Sequence, residues 1–185
     1  MMYLISVISC LLLGGYLLLT GMRFGIPDMV SDTYYQLQGT TGSEILPFQN
    51  QRNMGWLFTA VMLVTAMLML VCILDTGRGV QFLAFLGCSG LAFVGCSPNY
   101  CEQTEGTVHK AAATIAAIGC VGWCLSVLPL PTLLIATAYM VYLVVTDLFR
   151  ALNGIWYISN STKFHPWYWA EVAAFVDVYV TYWTM

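Results

Sequence analysis

His109 and His165 are the only histidines in the sequence, and each stands where a long apolar run begins. Ser31-Asp32 lies in the polar segment after the first apolar run, and Glu105 precedes His109 by four residues, about one helical turn. Neutral imidazoles with a carboxylate are suitable zinc ligands, and water in an open fourth position becomes a hydrolytic nucleophile near neutral pH. On that reading Asp32, His109 and His165 are the metal ligands. Ser31 and Glu105 are the catalytic candidates, with Glu105 orienting the His109 ring or accepting the proton of the bound water. The competing reading is two interfacial histidines that cap helix starts. The sequence contains no HExxH, CxxC or GxSxG pattern that would decide between them.

A second group of polar residues lies within apolar runs. Asp177 falls about ten residues into the last run, roughly 15 Å along a helix and near the middle of a bilayer. A charge at that depth is costly unless paired or protonated, which makes Asp177 a functional candidate. The plainer alternative is a neutral acid hydrogen-bonded to Thr or Tyr hydroxyls on a neighbouring helix, such as Tyr139 or Tyr142. Glu171 sits about one and a half turns inside the same run. Asp147 ends the preceding run three residues before Arg150, a spacing that lets the two pair.

The elements that must position these residues follow from composition. The 185 residues are 59% hydrophobic and 8% charged, with a mean hydropathy of +0.78. Soluble domains carry about 25% charged residues, so this chain has too few to cover a water-facing surface. It also has no basic patch, which excludes nucleic acid as an expected partner. Membrane lipids are the expected surroundings.

A hydrocarbon core of about 30 Å takes roughly 20 apolar residues as helix. The spans expected on that measure are 2–22, 54–74, 80–97, 108–128, 131–149 and 167–184. The runs are continuously apolar, so helix is expected over barrel strand. The result is a single all-α transmembrane domain, a bundle of six helices. The first run lacks a positive leader and a small-residue cleavage site, so it is expected to be a retained span.

The connections alternate in character. One end of the bundle, the plain end, has Asp75-Thr76-Gly77-Arg78-Gly79 and Pro129-Leu130-Pro131 as its turns. The other, the elaborate end, carries the long loop after Met22, the 101–107 loop and the 150–166 loop. Arg23, Arg52, Lys110, Arg150 and Lys163 lie at the elaborate end and only Arg78 at the plain end. The positive-inside rule then puts the long loops in the cytoplasm and both termini outside a cell membrane. The Asn160-Ser161-Thr162 sequon would be silent there. Trp56, Trp156, Tyr157, Trp167, Tyr168 and Trp169 are expected as an aromatic belt at the elaborate interface. Trp123, Tyr179, Tyr182 and Trp183 are expected at the plain one. Cys96 and Cys101 bracket a loop and can pair only in an oxidising compartment; the other five cysteines lie in apolar runs as small hydrophobes.

Small residues concentrate in spans three and four, the expected packing core: Gly87, Gly90, Ala92 and Gly95 line the one, and Ala112, Ala113, Ala116, Ala117, Gly119 and Gly122 fill the other. Such residues let helix backbones approach closely. Ala113, Ala116, Cys120 and Cys124 also form a narrow stripe beneath His109, read either as a tight contact or as a cavity wall.

The stretch from Arg23 to Tyr35, Gly55-Trp56-Leu57-Phe58, Phe82-Leu83-Ala84-Phe85 and Val94-Gly95-Cys96-Ser97-Pro98, with His109 opening the next span, resembles a family of small uncharacterised polytopic membrane proteins. That family occurs in gut Bacteroidota and their phages, and the resemblance covers most of the chain without implying an activity. More distantly, the layout is similar to alkaline-ceramidase-like membrane hydrolases, whose metal site uses a Ser, an Asp and three His. Ser31, Asp32, His109 and His165 would fill that site in part; a third histidine and a seventh span are missing. Three functions are therefore open: binding of a lipid or small amphiphile within the bundle, metal-dependent hydrolysis of a lipid at the interface, or a pore. The third fits poorly with so few intramembrane charges.

Overall fold

The computed structural model describes residues 1–39, 54–152 and 164–185, with side chains at all of these except 149–152. Seven α-helices and no strand occur among them: α1 Met2–Phe24, α2 Asp32–Gln38, α3 Trp56–Thr76, α4 Gln81–Cys96, α5 Gln103–Val127, α6 Pro129–Leu152 and α7 Pro166–Thr184. Six of these are the expected long helices. Four of them, α1, α3, α5 and α6, are long and apolar enough to cross a membrane. α4 has only 16 residues, about 24 Å, and α7 has 19 but carries Glu171 and Asp177.

Most boundaries fall within a turn of expectation, and the exception has a local cause. α5 begins at Gln103, five residues before Val108, because the Glu102 carboxylate accepts the Glu105 amide at 2.7 Å. That cap satisfies one of the orphan amides of a first turn too polar for a hydropathy reading to include. The N–H bonds hold the exposed Glu102 carboxyl below its usual range, so it stays an acceptor through neutral pH. At the plain end Gly77, at φ 62°, supplies the left-handed residue that stops α3.

The helices form a ring. α1 lies on α3, α3 on α4 and α4 on α5, while α7 touches α5 and α1 and so closes it; α6 packs outside against α5 and α7. The α4–α5 seam is the tightest. A methyl group on Gly87 would stand 2.6 Å from the Cys120 backbone nitrogen, and one on Gly90 would stand 2.6 Å from that of Ala116. Nothing but hydrogen fits, so the small residues of spans three and four are a backbone-to-backbone contact. The outward faces are apolar: Leu11, Leu18, Ile118, Leu134 and Val144 are all exposed.

Three aromatic rings expected in the interfacial belts are in the core. Trp123 is fully buried, and its indole N–H donates to the Arg78 carbonyl at 3.1 Å. Tyr168 is buried, and so is Tyr179, whose hydroxyl pairs with that of Ser9 at 2.8 Å. Each such polar tip that finds a partner makes burial possible. Trp156, Tyr157, the sequon and Lys163 lie outside the described residues, as does the Arg150 side chain to which Asp147 was expected to pair.

α2 is an element that hydropathy does not reveal. It lies at the elaborate end against α1 and α3. The Tyr16 hydroxyl of α1 pairs with Thr33 at 2.6 Å, and Tyr34 meets Phe58 of α3 edge-on. These contacts fix the start of α2 and with it Ser31.

Candidate functional site

Ser31 and His109 meet. The Ser31 Oγ stands 2.8 Å from His109 Nε2, although 78 residues separate them. On the other side of the ring, Nδ1 lies 2.7 Å from the Ser97 carbonyl oxygen. A carbonyl can only accept, so Nδ1 carries the proton and Nε2 is the bare nitrogen that receives the Ser31 hydroxyl proton. This is the geometry of a nucleophile, a base and a group that orients the base. Both residues are buried, Ser31 at 6% exposure and His109 at 5%.

Ser31 occupies the N-cap position of α2, yet its hydroxyl caps nothing there. Two carboxylates hold the surrounding backbone instead. Asp32 Oδ2 accepts the Met29 amide at 2.9 Å, and Glu171 Oε2 of α7 accepts the Val30 amide at 2.8 Å. The Tyr100 hydroxyl donates to Asp32 Oδ1, and its ring lies 5.4 Å from that of His109. Burial, reinforced by the adjacent Asp32 carboxylate, raises the Tyr100 phenol well above its ordinary value, which keeps it a donor.

Below Ser31 opens a cavity of about 370 Å³ between α3, α4, α5 and α7. Its walls are apolar, with Met62, Met69, Leu91 and Phe175 among them, and Ser31 and Glu171 are its polar groups nearest the elaborate end. Ala113, Ala116 and Cys120 line it, so the small stripe beneath His109 serves both as a helix contact and as a cavity wall. Exposed lining residues, Thr114 and Ala117 of α5 and Trp167 of α7, put an opening on the outer surface between those helices. Thr65 is buried in the wall, and its hydroxyl has no hydrogen-bond partner among the described residues.

The other expected site residues are distributed differently. His165 turns to Asp28 at 3.3 Å and occupies the N-cap position of α7 in a left-handed conformation, φ 42°, without a side-chain capping bond. Asp32 serves its own loop and Tyr100. Among the described residues no group of three or more His, Cys, Asp or Glu is arranged to hold a metal ion. Glu105 is exposed and accepts the Asn99 amide at 3.2 Å, so the Ser97 carbonyl orients the His109 ring in its place. Asp177 is buried against hydroxyls as expected, but these belong to Thr132 at 3.0 Å and Thr181 at 3.4 Å. Tyr139 and Tyr142 donate instead to the carbonyls of Pro166 and Phe164. Cys96 and Cys101 are exposed and not joined.

Ser97 and Tyr100 were not expected in the site. Their only signal in the sequence is position, in the short loop that must bring α4 back to His109. Comparison with protein-family models, curated proteins and solved structures finds no match for this chain.

Proposed function

We propose that this chain is an integral membrane protein of six spans that takes the apolar chain of a lipid or other amphiphile into the cavity between α3, α4, α5 and α7. The cavity itself carries the reading. Its volume of about 370 Å³ falls within the range of roughly 300–1,000 Å³ usual for small-molecule sites. Ser31 and Glu171 put polar groups at its elaborate end, matching a guest with a polar head. The opening beside Thr114, Ala117 and Trp167 faces outward, where a lipid could enter sideways from the bilayer.

Brominated palmitate, a quencher of tryptophan fluorescence, tests this in nanodiscs. Saturable quenching is expected from Trp167 on the cavity wall and should disappear in Trp167→Phe. Ala174→Phe fills the cavity from α7 without adding a reporter and should weaken the saturable phase at least about tenfold, the cost of roughly 1.4 kcal/mol of lost binding. Quenching that is unsaturable, or unchanged by Ala174→Phe, would mean that the chain does not enter the bundle.

The orientation that accompanies this reading, long loops in the cytoplasm of a cell with both termini outside, rests on the five-to-one split of Lys and Arg. Cys101 is exposed at the elaborate end and Gly77 turns the chain at the plain end. In an otherwise cysteine-free background, an impermeant thiol reagent should label Gly77→Cys on intact cells and reach Cys101 only after lysis. Equal labelling of both breaks the topology, and exchanged labelling inverts the orientation.

A further inference from the structure

We propose that Ser31 is the nucleophile, and His109 the general base, of an acyl-ester hydrolase whose acyl chain lies in the cavity. The proposal rests on the binding reading above and adds chemistry to it. Three observations converge. The Ser31 hydroxyl is 2.8 Å from His109 Nε2; the Ser97 carbonyl 2.7 Å from Nδ1 leaves that Nε2 unprotonated; and Ser31 lines the cavity while being almost wholly buried. A serine meant only to cap α2 would turn its oxygen to the α2 amides. This one turns it to a base, and the cavity is a route by which a reactant can reach it. An acyl chain seated among Met62, Leu91 and Phe175 would present its carbonyl carbon at the polar end, beside Ser31.

The steps balance without a co-reactant other than water. The Ser31 oxygen attacks the ester carbonyl carbon while its proton passes to His109 Nε2. The bond from that carbon to the alcohol oxygen breaks, and the leaving oxygen takes the proton from His109, giving free alcohol and an acyl-Ser31 ester. Water then attacks the acyl carbon with its proton going to Nε2. The acyl–Ser31 bond breaks, the proton returns to the serine oxygen and a fatty acid is released. The group that orients His109 is a neutral carbonyl, which sets the tautomer but adds no negative charge to stabilise the imidazolium. An alkoxide leaves more readily than an amide nitrogen, so an oxygen ester is the substrate class that fits this weaker base.

The test uses the full chain in nanodiscs, with an alkyl fluorophosphonate and with 4-nitrophenyl acetate, octanoate and palmitate. The fluorophosphonate should add its mass to the peptide containing Ser31, and the octanoate or palmitate ester should be cleaved faster than the acetate. Ser31→Ala should lose both activities while still showing saturable quenching by brominated palmitate. His109→Asn should slow both by about 10²–10⁴-fold, the usual worth of a positioned base. Wild-type protein that binds brominated palmitate but neither labels at Ser31 nor cleaves any ester overturns the proposal and leaves Ser31–His109 as a strut between α2 and α5. Labelling at Ser31 without saturable quenching would keep the nucleophile and overturn the binding mode. Because wild-type labelling is read directly, the result stands even if a variant fails to fold.

Discussion

Gly87→Val should remove most of the folded protein from detergent solution, while Gly14→Ala in α1 should leave it unchanged. The contrast comes from what an added side chain meets. A Cβ at position 87 would lie 2.6 Å from both the backbone nitrogen and the Sγ of Cys120, and 3.0 Å from the Gly119 carbonyl carbon. Two of these three atoms are backbone and cannot swing aside, so the whole α4–α5 seam must part. Parting it also loosens Gly90 against Ala116 and Gly119 against Gly87. Overpacking a core costs about 1–3 kcal/mol and occasionally more; a seam of backbone contacts has the least room to relax and belongs at the upper end. At Gly14 an added Cβ meets nothing within 4 Å, and alanine there only improves helix propensity. Chemical-denaturant titration of the two variants checks the difference, and a Gly87→Val midpoint equal to that of the wild type would show that α4 and α5 can separate freely.

Asp177→Leu should cost about 1–3 kcal/mol, the penalty for leaving buried hydrogen-bonding groups without a partner. Thr132 on α6 and Thr181 on α7 both direct hydroxyls to Asp177 Oδ1. Thr181 is fully buried and Thr132 nearly so, so neither can turn to water. Asp177→Asn keeps an acceptor oxygen of the same reach and should melt close to the wild type. The link it preserves matters because Thr132 ties the outer helix α6 to the ring. A leucine variant as stable as the aspartate in detergent melts would show that this contact contributes nothing.

How much of this was legible in the sequence varies with the range of the interaction. The long helices follow from apolar runs near the length of a bilayer core, a signal that needs no tertiary information. α2 was hidden because six of its seven residues, Asp32–Gln38, are polar or aromatic and it is held by Tyr16 and Phe58 from other helices. The start of α5 was hidden because a Glu102 cap, not hydropathy, sets it. At the site, Ser31 and His109 stood out as chemistry-bearing residues at one end of the bundle, but their partners did not. His109 has a carboxylate one turn away in Glu105, the natural expectation for an orienting group. The fold instead supplies a main-chain carbonyl, which leaves no mark in a sequence because every residue has one. Asp177 shows the same limit: its depth could be counted along one helix, whereas its threonine partners depend on how α6 docks.

The shortness of α4 bears on the surrounding lipid. Its 16 residues span about 24 Å, against a hydrocarbon thickness of about 30 Å. Phe82, Phe85 and Phe93 are exposed along it, so this short helix faces outward and is not shielded by its neighbours. Set across a bilayer, α4 would require the acyl tails touching it to shorten or splay, drawing the bilayer thinner there than on the α1 and α6 sides. Each ångström of such mismatch costs a fraction of a kcal/mol. Such a deformation would favour thin membranes and short-tailed lipids.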